Sequence, residues 1–239
     1  MVGSPSAMSV QTYARIAGAL FLLSAFAGGF GEFFVPSQLI VAGDATATAN
    51  KIMASESLFR MGLAGYVIEA LCDVALTLIL YVLLRPIHAN LALLAVFFRL
   101  VSTAVFGVAE VLFYAAPPLI LGGAEYLKTF SPEQLNTLAY LSIRLFGYGS
   151  GIAFVFYGVG SVLFGYLIFR SGYLPRLLGV LLAVSGLGFV VRTFLLVLAP
   201  ASASLALLLP TVVAGLALTV WLLVRGVDVA KWREKALVE

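Results

Sequence analysis

The chain has 239 residues, of which 62% are hydrophobic and only 10% are charged, and its formal net charge is +3. Soluble domains carry about 25% charged residues because their surfaces face water, so this composition excludes a soluble enzyme, a disordered linker and a disulfide-rich secreted module. The basic residues are not grouped on one surface, and no nucleic-acid partner is expected. The single Cys72 excludes an intrachain disulfide and a thiolate metal cage, and no metal or cofactor is expected.

Six stretches are long and apolar enough to cross a hydrocarbon core of about 30 Å as helices. Each is apolar on all its faces, as a helix surrounded by lipid must be. The composition and these stretches together predict an all-α integral membrane bundle, with the lipid bilayer as its partner. The six transmembrane helices are predicted at residues 12–33, 58–84, 91–116, 136–169, 177–199 and 204–225.

The spans divide the chain into a flexible leader, a transmembrane domain and a basic cytoplasmic tail, predicted at residues 1–11, 12–225 and 226–239. A cleavable signal peptide is the alternative for the start, because Arg15 precedes an apolar run that contains the small residues Ala25 and Ala27. The run continues past Ala27, which favours a first transmembrane helix.

Local signals refine the order of elements along the chain. Asp44 can cap a short helix over residues 45–55, whose Ile52 and Met53 could rest on the membrane surface. The alternative is an ordinary connection with one helical turn.

Two further signals concern the third and fourth spans. Residues 117–118 are both proline and predict the end of the third span, whereas Ser131 and the proline after it predict a capped start ahead of the fourth. If the fourth helix ran unbroken to Phe169 it would measure about 57 Å. It therefore either projects beyond the bilayer or breaks near the glycines at 147, 149 and 151.

The distribution of basic residues predicts the orientation, because cytoplasmic loops are enriched in Lys and Arg. One side of the predicted bundle carries only Lys51 and Lys128. Both termini are therefore expected in the cytoplasm, and the long connections 34–57 and 117–135 outside. The basic residues on the cytoplasmic side are Arg15, Arg85, Arg170, Arg176, Arg225, Lys231, Arg233 and Lys235.

Several short motifs in fixed order suggest a family. They are Tyr13-Ala-Arg-Ile-Ala-Gly18, Asp44-Ala-Thr-Ala-Thr-Ala-Asn50, Ser55-Glu-Ser-Leu-Phe-Arg60, Leu91-Ala-Leu-Leu-Ala with Arg99-Leu100, and Gly165-Tyr-Leu-Ile-Phe-Arg-Ser-Gly-Tyr-Leu-Pro-Arg176. In these motifs the chain resembles the domain of unknown function 4386 family of bacterial multi-pass membrane proteins. The resemblance covers nearly the whole chain and implies a six-span protein of the bacterial cytoplasmic (inner) membrane. It implies no biochemical activity and supplies no catalytic residue.

Charged residues inside the spans are the candidate site. A charged side chain near the bilayer centre costs about 2.5–3.5 kcal/mol on insertion scales, so each needs a partner or a water-lined cavity. A helical rise of 1.5 Å per residue places Glu69, Asp73 and Arg99 in the middle of the membrane. A second layer, nearer the outer surface, contains Glu32, Arg60, Glu110, Arg144 and Arg192.

The spacing of these residues predicts a stripe of charge. Glu69 and Asp73 are four residues apart and share a helix face, where Arg99 of the neighbouring helix can mediate between them. Glu110 follows Arg99 by close to three helical turns, so it extends the stripe toward the outer surface.

Ligand binding or transport is the favoured function. In this hypothesis Arg99 and Arg192 meet a lipid headgroup or a small amphiphilic anion in a polar cavity open to the outside, while Glu69 or Asp73 titrates. Tyrosine hydroxyls and the glycines of the fourth span favour a cavity, although both are also typical of interfacial belts and helix packing.

Two other functions remain open. The chain could be a structural or partner-binding subunit whose buried charges only fix helix packing. An intramembrane enzyme using a carboxylate as general acid or base is disfavoured, because the spans contain no histidine and no activated nucleophile pattern. No catalytic residue and no metal ligand is therefore assigned.

Overall fold

A computed structural model of the chain describes residues 9–237. All regular elements in this range are helical, and six helical segments are long and apolar enough to cross a membrane. The all-α, six-span prediction is confirmed, and the chain is a multi-pass membrane protein. Residues 1–8 of the predicted leader and residues 238–239 of the predicted tail lie outside the described residues. The six spans are Val10–Leu39, Glu56–Leu84, Ala89–Leu121, Pro132–Ser171, Arg176–Leu198 and Leu205–Val224.

The first and third spans each combine α-helix with a π-helical turn. The first span consists of α1 (Val10–Gly28), a first π turn (Gly29–Phe34) and α2 (Val35–Leu39). The third consists of α5 (Ala89–Glu110), a second π turn (Val111–Ala115) and α6 (Ala116–Leu121). The remaining α-helices are α3 (Ala45–Ala54), α4 (Glu56–Leu84), α7 (Pro132–Ser171), α8 (Arg176–Leu198), α9 (Leu209–Val224) and α10 (Val229–Ala236), and short 3-10 turns cover Glu125–Leu127, Pro200–Ser202 and Leu205–Leu208.

The helix predicted after Asp44 is present as α3. The Asp44 carboxylate accepts a hydrogen bond of 2.8 Å from the backbone N–H of Ala47, which caps the helix. Ile52 is fully buried beside Val35 and Phe59, so it packs inside the protein and not on a membrane surface.

The third span does not end at the paired prolines. Its helix continues to Leu121, because Pro117 and Pro118 occupy the first turn of α6, where a helix needs no backbone N–H donor. The end predicted at residue 116 is therefore wrong by five residues.

The fourth span is one uninterrupted helix of 40 residues, α7, which measures about 60 Å. Its start is a capping box, in which Ser131 N–H donates to Gln134 Oε1 at 2.8 Å and Gln134 N–H donates to Ser131 Oγ at 3.3 Å. The helix does not break at the glycines near residue 149. Each interior glycine costs about 1 kcal/mol, whereas a broken helix in lipid would leave several backbone groups without partners.

The described residues form two compact units, each with its own core. The first unit comprises residues 9–22, 73–100 and 155–237, and the second comprises residues 23–72 and 101–154. In the first unit α7 and α8 meet through glycines: a methyl group added at Gly158 would lie 2.5 Å from the carbonyl oxygen of Gly186. Gly158 thus permits close helix packing, and it does not unwind α7.

The end of α4 in the first unit is held by side chains from distant parts of the chain. The Leu83 carbonyl oxygen accepts hydrogen bonds from Tyr173 Oη at 2.6 Å and from Trp232 Nε1 at 3.0 Å. Burial raises the pKa of Tyr173, which keeps its hydroxyl protonated as a donor. These two bonds satisfy a carbonyl at the helix end, where intrahelical partners run out.

Candidate functional site

An ion pair between neighbouring spans lies in the first unit. Arg99 of α5 donates through Nη2 to the Asp73 carboxylate of α4. Arg99 is only 4% exposed, its guanidinium carbon lies 3.8 Å from the centre of the Tyr157 ring, and its Cγ lies 3.1 Å from the position of a Cβ at Gly160. The guanidinium is therefore shielded from solvent and its charge is balanced by Asp73.

Three glutamates in the second unit form what we call the carboxyl cluster: Glu32, Glu69 and Glu110. Glu32 interacts electrostatically with Glu69 and Glu110, and Glu110 interacts electrostatically with Glu69. Glu110 is 1% exposed, and its Oε2 has no hydrogen-bond partner among the described residues. Three spans thus each contribute one carboxyl group within electrostatic reach of the other two.

Both π turns lie at the carboxyl cluster. Glu32 belongs to the first π turn, and Glu110 immediately precedes the second. The wide hydrogen bonds are Val35 N–H to Phe30 C=O and Ala116 N–H to Val111 C=O. Single π turns are rare in proteins and occur often at functional sites, because the extra residue redirects nearby side chains.

Glycines on the facing helices make room for the carboxyl cluster. A methyl group added at Gly28 would lie 2.5 Å from Glu69 Oε2, and one at Gly62 would overlap the Tyr114 ring. The Tyr114 hydroxyl donates to the Gly31 carbonyl oxygen, which ties the third span to the first. Sequence reasoning missed these glycines as site residues, although small residues four apart in one span, such as Ala27 and Gly31, are a known signal of close helix contact.

The three remaining predicted site residues are arginines that do not belong to the carboxyl cluster. Arg60 is exposed and pairs with Glu56 at 2.5 Å within α4, and Arg144 is exposed on α7. Arg192 in the first unit is half-buried, and its Nε is buried with no hydrogen-bond partner among residues 9–237. The predicted group of Glu69, Asp73 and Arg99 is therefore divided in the structure. Arg99 and Asp73 form an ion pair in the first unit, whereas Glu69 belongs to the carboxyl cluster of the second.

The charge balance of the second unit is uneven. All four of its basic residues are exposed, whereas Glu110 is fully buried. No three or more His, Cys, Asp or Glu residues within residues 9–237 are placed to hold a metal ion. The basic residues in question are Lys51, Arg60, Lys128 and Arg144.

The second unit also contains a cavity of about 240 Å³ between α3 and the connection that precedes α7. Its lining is mainly apolar, and the polar groups that reach it come from Asn50, Lys128 and Asn136. None of the predicted site residues lines this cavity.

The fold and the buried charges define a class of protein, the polytopic helical membrane proteins with ionisable groups inside their spans. The chain belongs to the family described as Domain of unknown function (DUF4386), which matches residues 16–226. The predicted family is confirmed.

The chain is also similar in sequence to an archaeal protein. The chain is 28% identical over 134 residues to an uncharacterized protein of Archaeoglobus fulgidus, a match that covers 56% of this chain and 65% of the relative. The chain therefore spans less than two thirds of the length of that relative. Because the relative is archaeal, a bacterial origin stays a prediction. No solved structure matches the chain.

Proposed function

We propose that this membrane protein binds, or carries across the membrane, a small amphiphilic molecule with a positively charged head. The observation that carries the proposal is the carboxyl cluster, three carboxyl groups brought together in a unit whose basic residues are all exposed. Carboxylates in a low-dielectric site attract cations strongly, because little water competes for either charge.

The charge of this ligand differs from the anion that the sequence favoured. Arg99 was the expected counter-charge for an anion, but its guanidinium is engaged by Asp73 and covered by Tyr157. The geometry therefore supports Arg99 as a structural residue that joins α4 to α5. We therefore place the proposed ligand at the carboxyl cluster and not at Arg99.

The class of cation follows from the geometry of the site. A small metal ion would require several ligands at about 2.0–2.6 Å, and the described residues offer no such group. A bulky organic cation tolerates wider spacing, and its apolar part matches a lipid-facing site. Phe33, which is 74% exposed, and Phe34 on the first π turn supply apolar and aromatic surface beside Glu32.

We further propose the cytoplasmic membrane as the location, with both termini in the cytoplasm. The excess of Lys and Arg in the short connections and the C-terminal helix supports this orientation. In this orientation the carboxyl cluster lies in the outer half of the bilayer, so the ligand would enter from the outer side.

Two probes of the same shape and opposite charge test the proposal. Purified protein in a non-ionic detergent is titrated with tetraphenylphosphonium, a cation, and with tetraphenylborate, the matching anion, and binding is measured by calorimetry. We expect saturable binding of the cation and none of the anion. In Glu110→Gln the cation should bind about tenfold or more weakly, because one charged partner is worth about 1.5–3 kcal/mol.

The matched control is Glu234→Gln, which makes the same chemical change at an exposed position of α10. It should bind the cation like the unmodified protein, and thermal unfolding shows whether both variants are folded. Equal binding of the two probes would contradict the proposal. Preferential binding of the anion would contradict the proposal and favour an anion site at Arg192, whose Nε is buried without a hydrogen-bond partner in the described chain.

A structural or partner-binding subunit is the second candidate, and the Arg99–Asp73 ion pair favours it. A buried, balanced pair can specify which helices associate without binding any ligand. Native mass spectrometry in mild detergent separates the two functions, since this candidate predicts a stable complex with a second protein and no bound small molecule.

A further inference from the structure

The first unit brings the ends of several spans to one side. Gln11, in the first turn of α1, donates through Nε2 to the Arg225 carbonyl oxygen at 2.8 Å and accepts through Oε1 from the Val227 N–H at 3.1 Å. The C-terminal end of α4 is joined to the α7–α8 connection and to α10 by the two hydrogen bonds that the Leu83 carbonyl oxygen accepts. The ends of α1, α4, α7, α8 and α9 therefore lie on the same side of this unit.

The last helix, α10, lies across these ends and does not project away from them. The chain turns at Gly226, which has a positive φ of 67°, and the Asp228 N–H at the start of α10 donates to the Tyr173 carbonyl oxygen at 3.2 Å. The Trp232 indole then reaches the end of α4. A helix that continued along the axis of α9 would carry Trp232 about 12 Å beyond Val224. The hydrogen bonds therefore hold α10 near the level where the spans end, which is the level of the lipid headgroups.

This side of the first unit is strongly basic. Eight Lys and Arg side chains are exposed there, against two acidic side chains, Asp228 and Glu234. Within residues 9–237, Lys231 is the one of the eight that forms an ion pair, with Asp228 at 3.3 Å. The described part of the chain therefore leaves a surplus of positive charge on this side. We call it the basic surface, and its residues are Arg15, Arg85, Arg170, Arg176, Arg225, Lys231, Arg233 and Lys235.

The basic residues of α10 face away from the protein core. Val229 and Trp232 pack against the core of the first unit, whereas Lys231, Arg233 and Lys235 are exposed. Lys231 and Lys235 are four residues apart and share a helix face, where like charges repel unless anions lie beside them. A group of basic residues immediately outside a transmembrane helix is typical of segments that bind anionic lipids.

We propose that the basic surface, through α10, docks the anionic phospholipid headgroups of the surrounding bilayer. Lipid phosphates lie at the level of the span ends, and each can pair with a Lys ammonium or an Arg guanidinium of this surface. The half-buried indoles of Trp221 and Trp232 lie on the same side, and tryptophan is typical of the membrane–water interface. The inference does not depend on the proposed function, because the carboxyl cluster belongs to the second unit.

Quenching of tryptophan fluorescence by brominated lipids tests this docking. Both tryptophans of the chain, Trp221 and Trp232, lie on the side of the basic surface. The full chain is reconstituted into phosphatidylcholine bilayers with increasing fractions of phosphatidylglycerol or phosphatidylcholine that is brominated near the headgroup end of its acyl chains. We expect phosphatidylglycerol to quench as a lipid bound about fivefold or more tightly, the effect of one basic residue near anionic headgroups. Because salt screens exposed charges, this preference should fall at high ionic strength.

A pair of matched variants locates the docking. The variant in which all three basic residues of α10 become glutamine should lose most of the preference for phosphatidylglycerol. The control also replaces two lysines and one arginine, at exposed positions of the second unit, and should keep the preference. The substitutions are Lys231→Gln, Arg233→Gln and Lys235→Gln in α10, and Lys51→Gln, Arg60→Gln and Lys128→Gln in the control.

Thermal unfolding shows whether both variants are folded. If the α10 variant is not, the lipid preference of the unmodified chain and its dependence on salt still decide. Equal quenching by the two lipids at low salt would overturn the docking and would favour a soluble acidic partner for the basic surface. A preference that the folded α10 variant retains in full would also overturn it, because the proposal places α10 at the contact.

Discussion

Replacement of Arg99 by leucine is expected to destabilise the protein strongly, because Asp73 would lose its partner inside the membrane. Removing one member of a buried ion pair costs about 3–5 kcal/mol, since the remaining charge is left uncompensated. The Asp73 side chain is 16% exposed, so partial access to water places the expected loss nearer the lower value. The contact of Arg99 with the Tyr157 ring, worth about 0.5–2 kcal/mol, is lost as well.

The assay is unfolding of the purified protein in mixed detergent, followed by helical circular dichroism. At about 2–4 °C per kcal/mol for a chain of this size, the single variant should unfold about 6–20 °C below the unmodified protein. The double variant Asp73→Leu with Arg99→Leu should recover most of this loss, because no charge is left buried.

Two results would refute this reasoning. One is a single variant Arg99→Leu whose stability lies within about 0.5 kcal/mol of the unmodified protein. The other is a double variant whose loss equals the sum of the losses of Asp73→Leu and Arg99→Leu, since groups that do not interact show additive effects.

Two further predictions concern packing and exposure. Gly62→Ala should destabilise by about 1–3 kcal/mol, because the added methyl overlaps the Tyr114 ring, whereas Gly147→Ala, which meets nothing within 4 Å, should stabilise α7 by about 0.5–1 kcal/mol. Equal effects of these two substitutions in thermal unfolding would contradict the close approach at Gly62. Arg144→Gln should change stability by less than about 0.5 kcal/mol in the same measurement, because Arg144 is exposed, and a larger loss would show that it has a buried partner.

The number and approximate position of the spans could be predicted from hydropathy because a helix in lipid must be apolar on all faces. Local capping was also predictable, since Asp44 and Ser131 act through backbone groups within three residues of them. The predicted end of the third span at Pro117 was wrong, because proline ends a helix only where its missing N–H is needed as a hydrogen-bond donor. A new helical segment begins there after a π turn, and no pattern in the sequence announces that turn.

The candidate site was predicted in part for the same reason. Arg99 and Asp73 lie in regular helices joined by a short connection, so their similar depth predicted Arg99 as the mediator between Glu69 and Asp73. The structure contains the ion pair of Arg99 with Asp73. The grouping of Glu32 with Glu69 was not foreseen. The first π turn changes which face of the first span each residue occupies, and helical spacing of 3.6 residues no longer applies across it. Whether any of these residues binds a ligand stays a prediction.

The Leu83 carbonyl oxygen, which accepts hydrogen bonds from Tyr173 and Trp232, has a consequence for biosynthesis. This carbonyl terminates the second span, yet one of its two donors, Trp232, is translated about 150 residues later. Until that indole emerges from the ribosome, the Tyr173 hydroxyl is the side-chain donor that can hold this carbonyl at the C-terminal end of α4. Completion of α10 therefore adds a contact that holds a span inserted much earlier, and a nascent polypeptide halted before Trp232 should be more susceptible to proteolysis at this end.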